Sequence, residues 1–147
     1  MRKLNETHRL SAIAAAIGAI AITNSAQAES LPRCLVDTPP AELFPLAEGD
    51  FPTRDGWRVL QMVDRTLTYD NGMTERFNKD GTYELTVGGT TWTAPSYRFY
   101  SGYQDDPTSG FACIAFPDLR FHRYVVNNKQ LVLIDGFGDR HVATITN

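Results

Sequence analysis

From residue 55 onward the chain is cut by turn signals at short intervals, and this punctuation limits every element between them to a few residues. Asp70-Asn71-Gly72, Asn78-Lys79-Asp80-Gly81, Gly88-Gly89, Pro117-Asp118, Asn127-Asn128 and Asp135-Gly136-Phe137-Gly138-Asp139 carry residues that tolerate positive φ or interrupt a ladder. Such spacing excludes long helices and suits short antiparallel strands. The segments between the turns alternate accordingly. Residues 82–87 set Tyr83, Leu85 and Val87 against Thr82, Glu84 and Thr86, the cleanest amphipathic strand of the chain. Met73, Glu75 and Phe77 oppose Thr74 and Arg76, and His141, Ala143 and Ile145 oppose Arg140, Val142 and Thr144. Residues 57–63 are read the same way, with Trp57, Val59, Gln61 and Val63 against Arg58, Leu60 and Met62. Eight or nine strands result, spaced as a meander. Open sheet edges invite aggregation and closure removes them. The expected fold is therefore all-β: a small antiparallel up-and-down β-barrel of about eight strands, with a twisted sandwich as the alternative.

Two segments precede that domain. Residues 1–9 are polar and basic, residues 10–22 almost wholly apolar, and Ala26-Gln27-Ala28 follows a short polar stretch. This is the pattern of a cleaved secretory signal over residues 1–28, with the exported chain starting at Glu29. The apolar run is short for a bilayer-spanning helix, which needs about 20 residues, so no stable membrane insertion is expected. Residues 29–54 form a proline-rich strap, with Pro32, Pro39, Pro40, Pro45 and Pro52. Proline lacks the ladder donor, so the strap is expected to stay out of the sheet. One helical turn within 40–46, capped by Thr38, would let Leu43, Phe44 and Leu46 cover one end of the core. Residues 55–147 make the barrel domain. Export to the periplasm or the medium places Cys34 and Cys113 in an oxidising compartment, where they are expected to form a disulfide worth roughly 4 kcal/mol in the chain-entropy model.

Without its leader the chain keeps 11 basic and 16 acidic residues. That balance gives nucleic-acid binding no electrostatic support. No compact zinc spacing, twelve-residue calcium loop, phosphate-cradling glycine loop or nucleophile elbow appears. Neither a metal, a cofactor nor a catalytic set is expected, and the chain is read as a non-enzyme. His141 with Asp135 or Asp139 would make an acid–base couple if their strands pair, but it lacks a nucleophile. All 16 aromatic residues lie in the exported part. Tyr97, Tyr100 and Tyr103 cluster before the loop 104–110, and Trp92 sits on a short strand. Phe137 stands between glycines at a turn tip, where its ring is exposed unless it folds back. Arg120 and Arg123 make the densest basic spot, suited to an acidic partner or a carboxylate ligand, although on a strand they face opposite sides. Trp92, Tyr97, Tyr100, Tyr103, Arg123 and Phe137 are the candidate ligand- or partner-binding residues.

Gly56-Trp57-Arg58-Val59, the hairpin Phe77-Asn78-Lys79-Asp80-Gly81-Thr82-Tyr83 and the late strand at 131–134 resemble small bacterial periplasmic lipocalin-like barrels over about residues 55–145. The resemblance implies that Trp57 closes one barrel end with Arg140 stacked across it. The functional expectation is an exported binding or inhibitory module acting on an unidentified envelope protein. A lipocalin-like carrier of a small apolar ligand is the alternative.

Overall fold

The computed structural model describes residues 33–54, 57–58, 61–103 and 105–147. The chain divides into two units, residues 1–31 and 32–147, and every described residue belongs to the second. The leader expected over 1–28 lies outside the described residues.

Ten strands form one antiparallel sheet: β1 (Phe51–Pro52), β2 (Thr66–Tyr69), β3 (Thr74–Phe77), β4 (Tyr83–Val87), β5 (Thr90–Ala94), β6 (Tyr97–Phe99), β7 (Phe111–Ala115), β8 (Leu119–Asn127), β9 (Gln130–Ile134) and β10 (Arg140–Thr146). Nine of them follow the order β5-β4-β3-β2-β10-β9-β8-β7-β6, and β1 adds to β8. Consecutive strands pair from β2 to β5 and from β6 to β10, and the late strand β10 pairs with the early strand β2. β5 and β6 end the order, and among the described residues no ladder joins them. The result is a curled half-barrel of nine sequential strands, where about eight in a closed cylinder were expected. The seam falls at Pro95, which supplies no donor, beside a β5 whose residues 90–93 are exposed.

The curl has two cores. Its concave side buries Met62, Leu67, Tyr69, Phe77, Tyr83, Leu85, Ala112, Ile114, Tyr124, Leu131 and Leu133. Phe77 stands at its centre, with the rings of Tyr83, Tyr97, Phe99 and Tyr124 between 4.9 and 5.9 Å away. The other faces of β7, β8 and β9 bury Phe111, Cys113, Ala115, Val125, Val132 and Ile134 against Cys34 and Phe44 of the strap.

The strap is tied down along its length. Cys34 and Cys113 form the expected disulfide, with Cα atoms 5.8 Å apart. The Tyr100 hydroxyl donates to the Val36 carbonyl at 2.5 Å, Arg123 Nη1 to the Phe44 carbonyl at 3.1 Å, and Asn127 to the Glu48 carbonyl at 3.1 Å. Arg140 grips Asp50 through both terminal nitrogens, at 2.9 and 2.6 Å.

Four details correct the sequence reading. The strap does enter the sheet: Phe51 pairs with Val126 and Pro52 with Val125. Proline is tolerated because this two-residue strand lies off the main order, and the next amide, Thr53, donates to the Tyr124 carbonyl at 3.0 Å. The helical turn is a 3₁₀ turn at Ala41–Leu43 with Pro40, not Thr38, at its cap. Only Phe44 of the three apolar strap residues is buried, while Leu43 and Leu46 are exposed. Finally, Trp57, Arg58 and Gln61 are helical, not extended, with the amides of Arg58 and Met62 donating to the carbonyls of Arg54 and Arg58 at 3.0 and 2.8 Å. Met62 falls one turn after Arg58, and both are fully buried.

Cys34→Ser is expected to cost roughly 4 kcal/mol of unfolding free energy, the loop-closure value for a bridge of this span. Urea unfolding at neutral pH should show a lower midpoint with the same two-state shape.

Candidate functional site

Three places concentrate chemistry, and the most buried of them was not foreseen. Glu75 of β3 is 1% exposed. Its Oε1 accepts hydrogen bonds from Tyr69 of β2 and from Tyr124 of β8, the latter at 2.5 Å. Its Oε2 accepts from Tyr83 of β4 at 2.6 Å and faces His122 Nδ1 of β8 at 3.1 Å. An ionised carboxylate offers about four lone-pair sites, and this one has a partner at each. Burial pushes the Glu75 carboxyl up, but the His122 ring and the bonds from His122, Tyr124 and Tyr69 outweigh it and hold the group below its ordinary value. Burial and the Glu75 charge push the phenols of Tyr69, Tyr83 and Tyr124 well above theirs, so all three stay protonated donors. This is a saturated ionic knot between side chains of one core. The sequence did hold its signal. The alternation of β3 put Glu75 in phase with buried Phe77, and Tyr83 shared the inward phase of β4.

The second place is the turn between β9 and β10. Asp135 Oδ1 accepts from the amides of Phe137 at 2.9 Å and Asp139 at 3.0 Å, and its Oδ2 lies 2.9 Å from His141 Nε2. The Asp135 amide donates to the Asp139 carbonyl and the Gly138 amide to the Asp135 carbonyl, both at 3.0 Å. Gly138 takes φ +81°, which a side chain would strain. Burial raises the Asp135 carboxyl, and the bonds from His141 and the two amides bring it below its ordinary value. The anticipated His141–Asp135 couple thus forms. Its Nδ1 also meets Asn71 Nδ2 at 3.3 Å, so both ring nitrogens are engaged. On this clamped frame the Phe137 ring is 93% exposed. The strap lies alongside: a Cβ on Gly138 would sit 3.9 Å from the Leu43 carbonyl, and Arg140 holds Asp50. Leu43, whose carbonyl borders the turn, is itself exposed.

The third is a cleft of about 390 Å³ between the β4–β5 and β7–β8 hairpins. It is lined by Leu85, Val87, Trp92, Phe116, Pro117, Asp118 and Arg120.

The residues singled out from sequence do not gather into one site. Phe137 occupies the turn tip and Trp92 the cleft. Tyr103 is exposed. Tyr97 packs on Phe77 and Phe99 and donates to the Asn78 carbonyl at 2.9 Å. Tyr100 and Arg123 are buried and hold the strap, Arg123 stacking on Phe111 at 4.7 Å, so neither presents a binding surface. Arg140 pairs with Asp50. Arg58, which the sequence did not single out, donates through its guanidinium to the carbonyls of Phe111 at 2.8 Å and Thr53 at 3.0 Å and lies 5.3 Å over the Phe99 ring.

Among the described residues no group of three or more His, Cys, Asp or Glu is arranged to hold a metal ion, and no helix is long and apolar enough to cross a membrane. Comparison with known protein families, curated proteins and solved structures gives no significant match.

The knot sets an acid limit. With its folded-state value below the unfolded one, ionised Glu75 contributes stability that is complete above the ordinary glutamate range and is lost as pH falls through the depressed value. Wild-type urea midpoints should decline progressively below about pH 5. Glu75→Gln, which points amide hydrogens at donors, should cost about 2–3 kcal/mol at neutral pH and show a shallower acid decline. An equal decline in both proteins would remove Glu75 as its source.

Proposed function

We propose that this chain is an exported, periplasmic or secreted binding module. It acts without catalysis or cofactor and engages an envelope protein through the face formed by Phe137 and the neighbouring strap residue Leu43. The observation that carries this reading is the 93% exposure of a phenylalanine ring on a turn clamped by Asp135. Exposing an apolar ring in water is unfavourable, and a flexible tip would let it fold back. A rigid frame that keeps it out suits an interface anchor, because ordering costs are met before the partner arrives. The strap is fixed beside it by the disulfide, by Arg123 and by Arg140, so the surrounding surface is equally preformed. The leader pattern and the disulfide support export. The meander with β10 beside β2 supports the lipocalin-like reading of the half-barrel.

A second reading, a carrier of a small amphiphilic or apolar ligand, is favoured by the hairpin cleft. At about 390 Å³ it falls within the roughly 300–1,000 Å³ usual for small-molecule sites.

The protein-contact reading is tested by capture from an envelope extract of the producing cell on immobilised exported chain. Wild type should retain one protein reproducibly and in stoichiometric amount. Phe137→Ser should lose about tenfold or more in affinity with an unchanged urea midpoint, since the ring is exposed in the free protein. Capture that Phe137→Ser leaves unaltered, or no capture at all, would overturn it.

A further inference from the structure

The walls of the hairpin cleft differ from the rest of the surface. Trp92 and Val87 lie on the β4–β5 hairpin, 48% and 43% exposed, and face the cleft together with Leu85 and Phe116. Two large apolar side chains left half in water beside a concavity are the usual lining of a site that excludes water when filled. Arg120 of β8 completes the wall, its guanidinium 5.3 Å over the Phe116 ring. Among the described residues neither a carboxylate nor a hydrogen-bond acceptor takes its N–H donors. Its neighbour Arg123 points to the opposite face and is occupied by the carbonyls of Phe44 and Ser109. Arg120 is therefore a cation held in place by an aromatic ring, next to apolar walls, with its donors available.

We propose that this cleft binds a small amphiphile with an apolar body and a single carboxylate head, the body lying against Trp92, Val87, Leu85 and Phe116 and the head taken by Arg120. The proposal rests on the second reading above and names its ligand class. A guanidinium presents parallel donors that match a carboxylate in a fork, and one cation neutralises one negative charge. Stacking on Phe116 orders the guanidinium before the ligand arrives, which lowers the entropy lost on binding. Asp118 also lines the cleft, but it lies in the β7–β8 turn, is exposed, and among the described residues is held by no hydrogen bond. It can swing into solvent when an anion enters.

Trp92 supplies the readout. Decanoate, decanol and decylammonium, each kept below its aggregation limit, are titrated into the full exported chain while tryptophan emission is followed, with calorimetry as a second measure. Trp92→Phe, which leaves Trp57, identifies the source of the signal. Saturable decanoate binding with a blue shift is expected, about tenfold tighter than decanol and tighter still than decylammonium. Arg120→Gln should bring decanoate down to the decanol level without moving the urea midpoint, because the side chain is exposed. Decanol binding as tightly as decanoate, or Arg120→Gln leaving decanoate unaffected, would overturn the carboxylate assignment while the cleft itself stands. Decylammonium binding tightest would transfer the head-group role to Asp118 and overturn it equally. No binding of any probe by either measure would end the cleft reading as well.

Discussion

The curvature of this sheet depends on one buried carboxylate. In the strand order, β8 is separated from β2 by β10 and β9, yet Tyr124 and His122 of β8 reach the same Glu75 that Tyr69 of β2 and Tyr83 of β4 hold from the other side. The bonds cross the concave interior, and they are short enough to fix how far the two halves of the sheet stand apart. Apolar packing alone would not impose this. The rings around Phe77 lose little if one slides by a fraction of an ångström, whereas an ionised carboxylate deprived of a donor in a dry core is costly to a degree no nearby contact offsets. Ring packing supplies most of the cohesion, and Glu75 selects the geometry in which that packing occurs.

Cohesion on the other side comes from a different arrangement. β7 is buried at all five positions and β9 at four of its five, so the far face of this half of the sheet needs a cover. The strap provides it, and proline is well suited to the task. A segment that cannot donate regularly to a ladder lies across strands without competing for their edges. What it lacks in regular bonds is replaced by side-chain bonds to its carbonyls from Tyr100, Arg123 and Asn127, and by the covalent tie at Cys34. β2 to β4 need no such cover, since their alternate residues carry Thr, Arg and Glu outward.

The same contrast explains how much of the molecule was legible in the sequence. Strands with one wet face announce themselves by alternation, and β4 and the turns at Gly72 and Gly81 stand where the pattern put them. β7 and β9, buried on both faces, carry apolar runs between turn signals instead of alternation. Residues 57–63 failed because Trp57, Arg58 and Met62 satisfy a helical spacing as well as an alternating one, and the choice depends on tertiary contacts of Arg58 that lie 53 residues away at Phe111. Arg123 and Tyr100 were misread for the opposite reason. Both are polar-tipped residues that look like surface, and only the path of the strap reveals the carbonyls they serve. Glu75 was legible in phase but not in partners, since its donors come from three strands that only the folded curl brings together.

Function is best approached by asking which side chains still have bonding capacity once the fold has taken its share. His122, Glu75, Tyr69, Tyr83 and Tyr124 engage one another, and His141 has neighbours at both nitrogens. Arg58, Arg123 and Arg140 are committed to carbonyls or to Asp50. Among the exposed apolar side chains, Phe137 stands on the turn beside Leu43, and Trp92 and Val87 stand beside the guanidinium of Arg120 in the cleft. Phe137, Trp92 and Val87 stand on hairpins whose frames are fixed by other residues, so each can be altered with little effect on stability. The two proposed surfaces differ in what they offer a partner: the turn face presents an apolar ring on a fixed turn, whereas the cleft sets a cation beside its apolar walls.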